Sequence, residues 1–231
     1  MFNHLLLFFQ TANIGTEEPT KESESLFSII ASSGTMGIII VAILLVLAVV
    51  ATVIFIERYA TIKQAGRVDE NFINNIRANV SSGNIAGAKA LCQSTDSPVA
   101  RMVEKGLQRI GKPLRDLDAA IENVGNLEIF RLEKNLSTLA SIAGAAPMIG
   151  FFGTVTGMTA AFQKMATEKN VAPDQLAEGI YQALITTAGG LFIGILAFVG
   201  YNILVTSVEK VVYKMERTTV DFMDLLQEPT V

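Results

Sequence analysis

Histidine, cysteine and tryptophan are almost missing from this chain of 231 residues, which has one His, one Cys and no Trp. The lone Cys92 excludes an internal disulfide framework and a thiolate metal cluster, and we expect it to be a small core residue. With His4 as the only histidine, neither a metal site nor a Ser–His or Cys–His catalytic pair has enough members. The sequence therefore predicts a protein that is not an enzyme and that has no metal and no cofactor.

Charge is missing from three long segments. Residues 37–56 contain 20 consecutive uncharged residues, residues 135–163 contain 29, and residues 179–208 contain 30. A membrane-spanning helix needs only about 20 predominantly apolar residues, and an apolar run inside a soluble core is usually no longer than about 14. The three runs therefore predict an all-α membrane protein with three transmembrane helices, a helical cytoplasmic domain, and long helices that extend from the membrane.

The distribution of cations predicts the orientation. Residues 57–134 hold 12 of the 18 Lys and Arg residues, and three more follow Val208. Positive charges near span ends favour the cytoplasmic side, so we expect the N-terminus outside the cytoplasm and the C-terminus inside it. The expected parts are an extracytoplasmic segment (1–34), transmembrane helix 1 (35–57), a cytoplasmic helical domain (58–134), transmembrane helix 2 (135–163), an extracytoplasmic link (164–178), transmembrane helix 3 (179–208) and a cytoplasmic tail (209–231).

The cytoplasmic region has helical spacing interrupted by turn residues. We expect helices over residues 68–81, 85–92 and 99–110, separated by Gly- and Pro-containing breaks. From Leu114 onward there is no strong breaker before Gly144 and Pro147, so the second span is expected to continue into the cytoplasm as one rod. Mixed charges between residues 128 and 134 favour a solvated helix face, with subunit contacts as the alternative. Residues 1–12 are expected to be a retained interfacial segment, with processing or disorder as the alternative, and residues 15–25 to be a linker.

Spans two and three each have one face of small side chains. The faces are formed by Ala143, Pro147, Gly150, Thr154, Gly157 and Ala161, and by Ala183, Thr187, Gly190, Gly194, Ala197 and Tyr201. Close helix packing explains the glycines, for which the candidates are Gly150, Gly153, Gly157, Gly190 and Gly194. A polar lining is the second interpretation, and its candidates are Thr154, Thr186 and Thr187. No carboxylate, Lys, Arg or His lies within the three uncharged runs, so a proton pathway here would need a titrating group from another chain.

Three motifs carry a resemblance to a known family. They are LASIAGAAPMIGFFGTVTGMTAAF at residues 139–162, GIYQALITTAGGL at 179–191 followed by Tyr201-Asn202, and the weaker GNIAGAKALC at 83–92, with Glu57-Arg58 closing span one. In this order they resemble the TolQ/ExbB/MotA proton-channel family, most closely its ExbB/TolQ branch.

The resemblance implies a homopentamer in the bacterial inner membrane, surrounded by membrane lipid. Spans two and three would line a central pore that holds an ExbD/TolR-like single-span partner, whose Asp would carry the proton, and a TonB-like protein would receive the work. Thr154 and Thr187 match the pore threonines of the family, and Glu57 and Arg58 would lie near the cytoplasmic mouth. Many members have Glu where this chain has Gln182, so the outer entry is either less charged or uses Glu178. Nucleic acid is not an expected partner.

Several alternatives remain open at this stage. Within the family, the ExbB role in energising TonB-dependent transport is favoured over the TolQ role in envelope maintenance. A non-conducting membrane scaffold is the main rival. A small-solute transporter is disfavoured because we find no inverted repeat in the sequence.

Overall fold

A computed structural model describes residues 34–67, 71–167 and 173–227, and every regular element in these ranges is an α-helix. The seven helices are α1 (Gly34–Ala65), α2 (Phe72–Ser81), α3 (Ile85–Ser94), α4 (Pro98–Leu107), α5 (Leu114–Leu132), α6 (Leu136–Thr167) and α7 (Pro173–Gln227). The predictions for residues 1–33, for the start of the helix expected at 68–81 and for the middle of the link at 168–172 lie outside the described residues.

The three uncharged runs lie in α1, α6 and α7, and these helices are long and apolar enough to cross a membrane. The helices α6 and α7 pack along each other, and α1 packs against both. Large apolar side chains cover their outer surfaces, including Val46, Phe151 and Phe192, each more than half exposed. An apolar exterior suits a hydrocarbon solvent, and the prediction of an all-α membrane protein with three spanning helices is confirmed.

The helix α7 joins the membrane part to the bundle of short helices. It has 55 residues, which corresponds to about 80 Å of length. Its C-terminal half buries Met215, Phe222 and Leu225 in the same core as Ile76, Val103 and Ile121 of the shorter helices. The prediction of long helices that extend from the membrane is therefore confirmed.

The predicted breaks between the short helices are confirmed, and each has a local cause. Gly83 and Gly111 have φ angles of 74° and 90°, which glycine adopts without steric cost. The Asn84 side chain accepts a hydrogen bond from the Gly87 backbone N–H at 2.9 Å, and the Ser97 hydroxyl accepts one from the Ala100 N–H at 3.1 Å. These caps start α3 and α4.

The expected single rod from Leu114 through span two is wrong at one point. The helix α5 ends at Leu132, and α6 begins at Leu136 after a turn in which Asn135 has a φ of 64°. Asparagine adopts this left-handed conformation more easily than other non-glycine residues because its short polar side chain can bond locally. An isolated Asn in an otherwise helical pattern gave no clear stop signal, so the break was not predicted.

The expected solvated face is wrong at Glu128, which is only 3 % exposed. Its carboxylate accepts hydrogen bonds from Arg101 Nη2 at 2.8 Å and from Arg131 Nη1 at 2.6 Å. Arg101 also contacts Asp96. Burial tends to lower the pKa of Arg101, but its bonds to Glu128 and Asp96 outweigh this effect and raise the pKa overall. The charges join α4 to α5 through a buried carboxylate.

Cys92 is a buried core residue, as predicted, and is 3 % exposed. Burial, with a smaller contribution from the nearby Glu104, raises the pKa of its thiol to about 12. The side chain therefore behaves as a small protonated apolar group.

Candidate functional site

The small faces of α6 and α7 pack directly against each other. A Cβ atom added to Gly190 would lie 2.6 Å from the Ala146 carbonyl oxygen and 2.9 Å from the Gly150 Cα. A Cβ added to Gly150 would lie 2.8 Å from the Thr186 carbonyl oxygen. Only glycine at these positions lets the two backbones approach so closely.

The same contact extends in both directions along the seam between α6 and α7. A Cβ on Gly194 would lie 2.5 Å from Cγ of Pro147, which lies inside α6, and one on Gly157 would lie 3.0 Å from the Ala183 Cβ. Gly153 faces the Thr186 side chain and Ile40 of α1. The five candidate glycines therefore all lie at helix–helix contacts within one protomer.

Thr154 and Thr187 meet at the edge of this seam. Their hydroxyl groups are in direct hydrogen-bonding contact with each other. The Thr187 hydroxyl also donates to the Gly150 carbonyl at 3.0 Å, and the Thr154 hydroxyl lies 3.3 Å from the Ala183 carbonyl. Both side chains are half-buried. Since each hydroxyl has one proton and two acceptor lone pairs, the pair is satisfied within the protomer and still has acceptor capacity at its exposed side.

Thr186 lies next to Thr187 in sequence but faces the interior. It is 5 % exposed, and its hydroxyl donates to the Ala183 carbonyl at 2.7 Å within its own helix. The neighbouring Gly153 leaves the space that this side chain fills. The structure thus brings Thr186 into the packing of α6, α7 and α1 and leaves Thr154 and Thr187 as the accessible pair.

Exposed apolar residues surround the threonine pair along both helices. On α6, Phe151 lies three residues before Thr154, and Val155 directly follows it. On α7, Leu184 and Leu191 lie about one helical turn before and after Thr187. All four are exposed in the protomer. The pair is a small polar area on an otherwise apolar surface.

Glu178 and Gln182 lie toward the N-terminal end of α7, away from the threonine pair. Nine residues separate Glu178 from Thr187, a rise of about 14 Å along the helix. The Gln182 side-chain amide donates to the Glu178 carboxylate at 3.1 Å. These residues form a local polar pair, and the structure does not bring them into contact with Thr154 or Thr187.

Glu57 and Arg58 lie near the other end of the membrane part, on α1. Arg58 is 6 % exposed and is ion-paired with Glu57. Its Nη1 donates to the Arg131 carbonyl at 3.3 Å, one residue before the end of α5. The last carbonyls of a helix have no partner within the helix, so Arg58 supplies one at the break before α6.

Sequence reasoning missed this contact of Arg58 with α5 and the burial of Glu128. Both involve residues far apart in the chain, and a charged residue in a mixed-charge helix gives no local sign that it is buried. Within the described ranges, no group of His, Cys, Asp and Glu side chains could hold a metal ion.

Comparison with known proteins gives a consistent family match. Residues 94–217 match the profile of the MotA/TolQ/ExbB proton channel family. The chain is 27 % identical over 162 residues to an ExbB homologue of Methanothermobacter thermautotrophicus, a match that covers 70 % of this chain and 57 % of that relative. It is 26 % identical over 189 residues to the Tol-Pal system protein TolQ of Pseudomonas aeruginosa, covering 77 % of this chain and 82 % of the relative.

A third relative, the biopolymer transport protein ExbB of Neisseria gonorrhoeae, is 30 % identical over 126 residues, or 48 % of this chain and 57 % of the relative. The matches thus span little more than half of the two ExbB-type relatives. The family profile covers more than half of the present chain and includes Thr154, Thr187 and the uncharged runs of α6 and α7. This chain therefore belongs to the MotA/TolQ/ExbB proton channel family.

Proposed function

We propose that this chain is the proton-channel subunit of an ExbB–ExbD-type complex in the bacterial inner membrane. In this proposal it uses the proton motive force to energise TonB-dependent transport across the outer membrane. The observation that carries the proposal is the half-exposed Thr154–Thr187 hydroxyl pair at the edge of the α6–α7 seam. The family membership and the relatives named ExbB support it.

The proton carrier is proposed to come from a second protein. The three uncharged runs contain no ionisable carboxylate, Lys, Arg or His, whereas proton relays in membranes depend on such groups. Five copies of this chain would surround a single-span ExbD/TolR-like partner that supplies a carboxyl group. The exposed apolar residues beside the threonines, such as Phe151 and Leu191, would then form the wall along which the partner helix packs.

The hydroxyl pair suits this task because its hydrogen bonds can be exchanged. A carboxylate in an apolar environment carries a large desolvation penalty, and protonation removes it. A Thr hydroxyl that turns its proton from a backbone carbonyl to the carboxylate would lower that penalty, and its lone pairs would accept a bond from the protonated acid. Each proton that crosses a potential of 100 mV releases roughly 2.3 kcal/mol, so mechanical work would need several protons.

The remaining polar candidates are assigned to the two ends of the pathway. Glu178 and Gln182 are proposed at the periplasmic entry, where their mutual hydrogen bond places a carboxylate and an amide together. Glu57 and Arg58 are proposed near the cytoplasmic mouth. Arg58 is buried and donates a hydrogen bond to α5, so we propose that it holds this end of the helix bundle in place. Glu57 remains half-exposed to solvent.

The TolQ role is the second candidate function. It is favoured by the P. aeruginosa TolQ, because the match covers more of that protein's length than the matches to the two ExbB-type relatives do. A deletion strain separates the two roles. Loss of energised uptake of a ferric siderophore supports the ExbB role, whereas detergent sensitivity with normal uptake supports the TolQ role.

Substitution of the threonine pair tests the channel function itself. We expect Thr154→Ala and Thr187→Ala each to reduce energised transport by at least about ten-fold; in the TolQ case the reduced property is envelope integrity. Each substitution removes a hydroxyl whose hydrogen bond to a buried carboxylate contributes roughly 1.4 kcal/mol or more. Thr154→Ser and Thr187→Ser keep the hydroxyl and should retain most activity. The measurement is activity at equal amounts of assembled complex.

The matched control is Thr159→Ala. Thr159 lies on the same helix, is exposed, and donates to its own i−4 carbonyl at 2.7 Å, but it is not part of the seam. Full activity of Thr154→Ala and Thr187→Ala at normal complex levels would contradict the channel proposal and favour the non-conducting scaffold.

A further inference from the structure

A groove lined by four cations lies between the C-terminal part of α1 and α7. Its lining residues are Tyr59, Ile62, Lys63, Gly66, Arg67, Ser207, Lys210, Val211 and Lys214, and its volume is about 320 Å³. None of these described lining residues is acidic. Asp69 and Glu70 follow Arg67 in the sequence but lie outside the described residues. Four like charges around one groove repel each other unless an anion is bound between them.

The cations are positioned by specific contacts. Lys214 of α7 reaches across the groove, and its Nζ donates to the Gly66 carbonyl at 2.9 Å, just beyond the end of α1. This bond closes one end of the groove and places a cation at a helix C-terminus, where it is favoured. The Lys63 Nζ lies 5.5 Å from the centre of the Tyr59 ring, one turn closer to the apolar run of α1. Lys63 is thus directed toward the membrane side.

The distance from the apolar run of α1 puts the groove within reach of lipid headgroups. The uncharged run of α1 ends at Ile56, and Lys63 follows after seven residues, about 10 Å further along the helix. The headgroup layer extends roughly 5–8 Å beyond the hydrocarbon core on each side, and a Lys or Arg side chain can reach several ångströms back toward it. Tyr59 also suits this layer because tyrosine is enriched at membrane interfaces.

The surface on the membrane side of the groove combines polar side chains with exposed isoleucines. A second cavity shares Ser207 and Lys210 with the groove and continues along α7 past Thr206, Ile203 and Asn202. Ile203 in this cavity is exposed, and so is Ile56, which lies on α1 three residues before Tyr59 of the groove. A ligand with an anionic head and apolar chains therefore fits the arrangement, because its head would meet the cations and its chains would lie on apolar side chains.

We propose that this groove binds the phosphate group of an anionic phospholipid, with Lys63 and Lys210 as direct ligands and Lys214 holding one end of the site. A soluble phosphate shares the head chemistry but would leave the exposed apolar surface beside the groove uncovered. The proposal depends only on the chain lying in a membrane. Its outcome is therefore independent of proton conduction.

The test uses the full chain purified in its assembled form in a neutral detergent. Dioleoylphosphatidylglycerol, dioleoylphosphatidylcholine and inorganic phosphate are the three probes, and native mass spectrometry measures the lipid retained during titration. We expect wild-type protein to retain phosphatidylglycerol in preference to phosphatidylcholine. The double variant Lys63→Gln/Lys210→Gln should bind it about thirty-fold more weakly, since each cation near an anionic lipid surface contributes roughly a five-fold factor.

Two further variants serve as controls. Lys134→Gln/Arg217→Gln removes the same charge from two exposed positions outside the groove and should bind as wild type does. Lys63→Arg/Lys210→Arg keeps the charge and should retain binding, which guards against a loss of folding in the glutamine variant.

Three results would overturn the proposal. One is an equal loss of binding in the groove variant and in Lys134→Gln/Arg217→Gln, which would mean a general effect of surface charge. Another is displacement of phosphatidylglycerol by millimolar inorganic phosphate, which would assign the groove to a soluble anion. The third is a changed oligomer mass with unchanged lipid retention, which would assign the groove to contact with a second copy of the chain.

Discussion

Glycine at position 190 is required by the distance between two helix backbones. The nearest atom to an added Cβ would be the Ala146 carbonyl oxygen at 2.6 Å, and the Gly150 backbone is almost as close. Backbone atoms cannot rotate away as the end of a side chain can, so a methyl group here must separate the helices. The adjacent Gly189 differs, since nothing lies within 4 Å of an added Cβ.

We therefore expect Gly190→Ala to destabilise the protein by about 1–3 kcal/mol, as overpacking usually does. Gly189→Ala should be neutral or slightly stabilising, because alanine favours a helix by roughly 0.5–1 kcal/mol over glycine. The measurement is the free energy of unfolding of the detergent-solubilised protein. Equal effects of the two substitutions would contradict the close approach at Gly190.

Cys92 should react slowly with thiol reagents in the folded protein. Burial raises the pKa of its thiol from 9.0 to about 12, and only the thiolate is nucleophilic. At pH 8 the thiolate would then be about one part in ten thousand. Because the pKa of the thiol is higher in the folded protein, burial of the neutral thiol contributes fully to the free energy of unfolding below pH 9.0. This contribution is lost as the pH rises toward about 12.

The measurement is the rate of reaction with a thiol-specific disulfide reagent at pH 8, with and without denaturant. Denaturant should accelerate the reaction by at least about a hundred-fold, since unfolding restores both exposure and a normal pKa. An added cysteine at the exposed position 164, made by Lys164→Cys, should react rapidly without denaturant. Fast reaction of Cys92 in the native protein would contradict its burial.

At the scale of elements, one carboxylate joins two of the short helices. Glu128 of α5 accepts hydrogen bonds from Arg101 of α4 and from Arg131 of its own helix, while the Arg131 carbonyl accepts one from Arg58 of α1. These bonds meet just before the turn at Asn135, where α5 gives way to α6. The contacts therefore fix α4 and α5 relative to the base of the membrane bundle.

We expect Glu128→Gln to destabilise the protein by about 1–3 kcal/mol, because two arginines lose their charged partner. A fully buried pair would cost more, but the side chains of Arg101 and Arg131 are 38 % and 67 % exposed, so water replaces part of the lost interaction. Glu122→Gln on an exposed position of α5 is the control and should change the free energy of unfolding by less than about 0.5 kcal/mol. Thermal unfolding in detergent measures both, and a Glu128→Gln protein as stable as Glu122→Gln would show that the ion pairs contribute nothing.

At the scale of the whole molecule, the distribution of charge predicts how the chain is oriented in the membrane. Residues 57–134 and the C-terminal part of α7 together carry 15 of the 18 Lys and Arg residues. From the positive-inside rule we expect this part to lie in the cytoplasm and the ends of α6 and α7 near Lys164 and Glu178 to lie in the periplasm. The proposed proton pathway has the same orientation, with Glu178 and Gln182 at its periplasmic entry and Glu57 and Arg58 near its cytoplasmic mouth.

We expect a membrane-impermeant maleimide to label Lys164→Cys in intact spheroplasts and Lys134→Cys only in inverted vesicles. Both positions are exposed, and the buried Cys92 contributes little background. Labelling of permeabilised membranes controls for reactivity at each position. The opposite pattern would reverse the orientation and with it the assignment of Glu178 and Gln182 to the periplasmic entry.

The sequence by itself determined the number of spanning helices and the ends of most short helices. Uncharged runs of 20 or more residues have few alternatives to a membrane span, and Gly83, Ser97 and Gly111 stop or start helices through their own backbone or side-chain chemistry. The small faces of α6 and α7 were also visible, since helical spacing alone places Gly150 beside Thr154. These properties depend on neighbours within a few residues along the chain.

Only the tertiary structure decided which of these residues meet. It separated Thr186, which faces the interior, from Thr187, whose hydroxyl contacts Thr154, although both lie on one helix turn. It also buried Glu128 and placed Arg58 at the end of α5. Such contacts join residues up to 73 positions apart, and their formation depends on the packing of whole helices, which no local pattern of residues records.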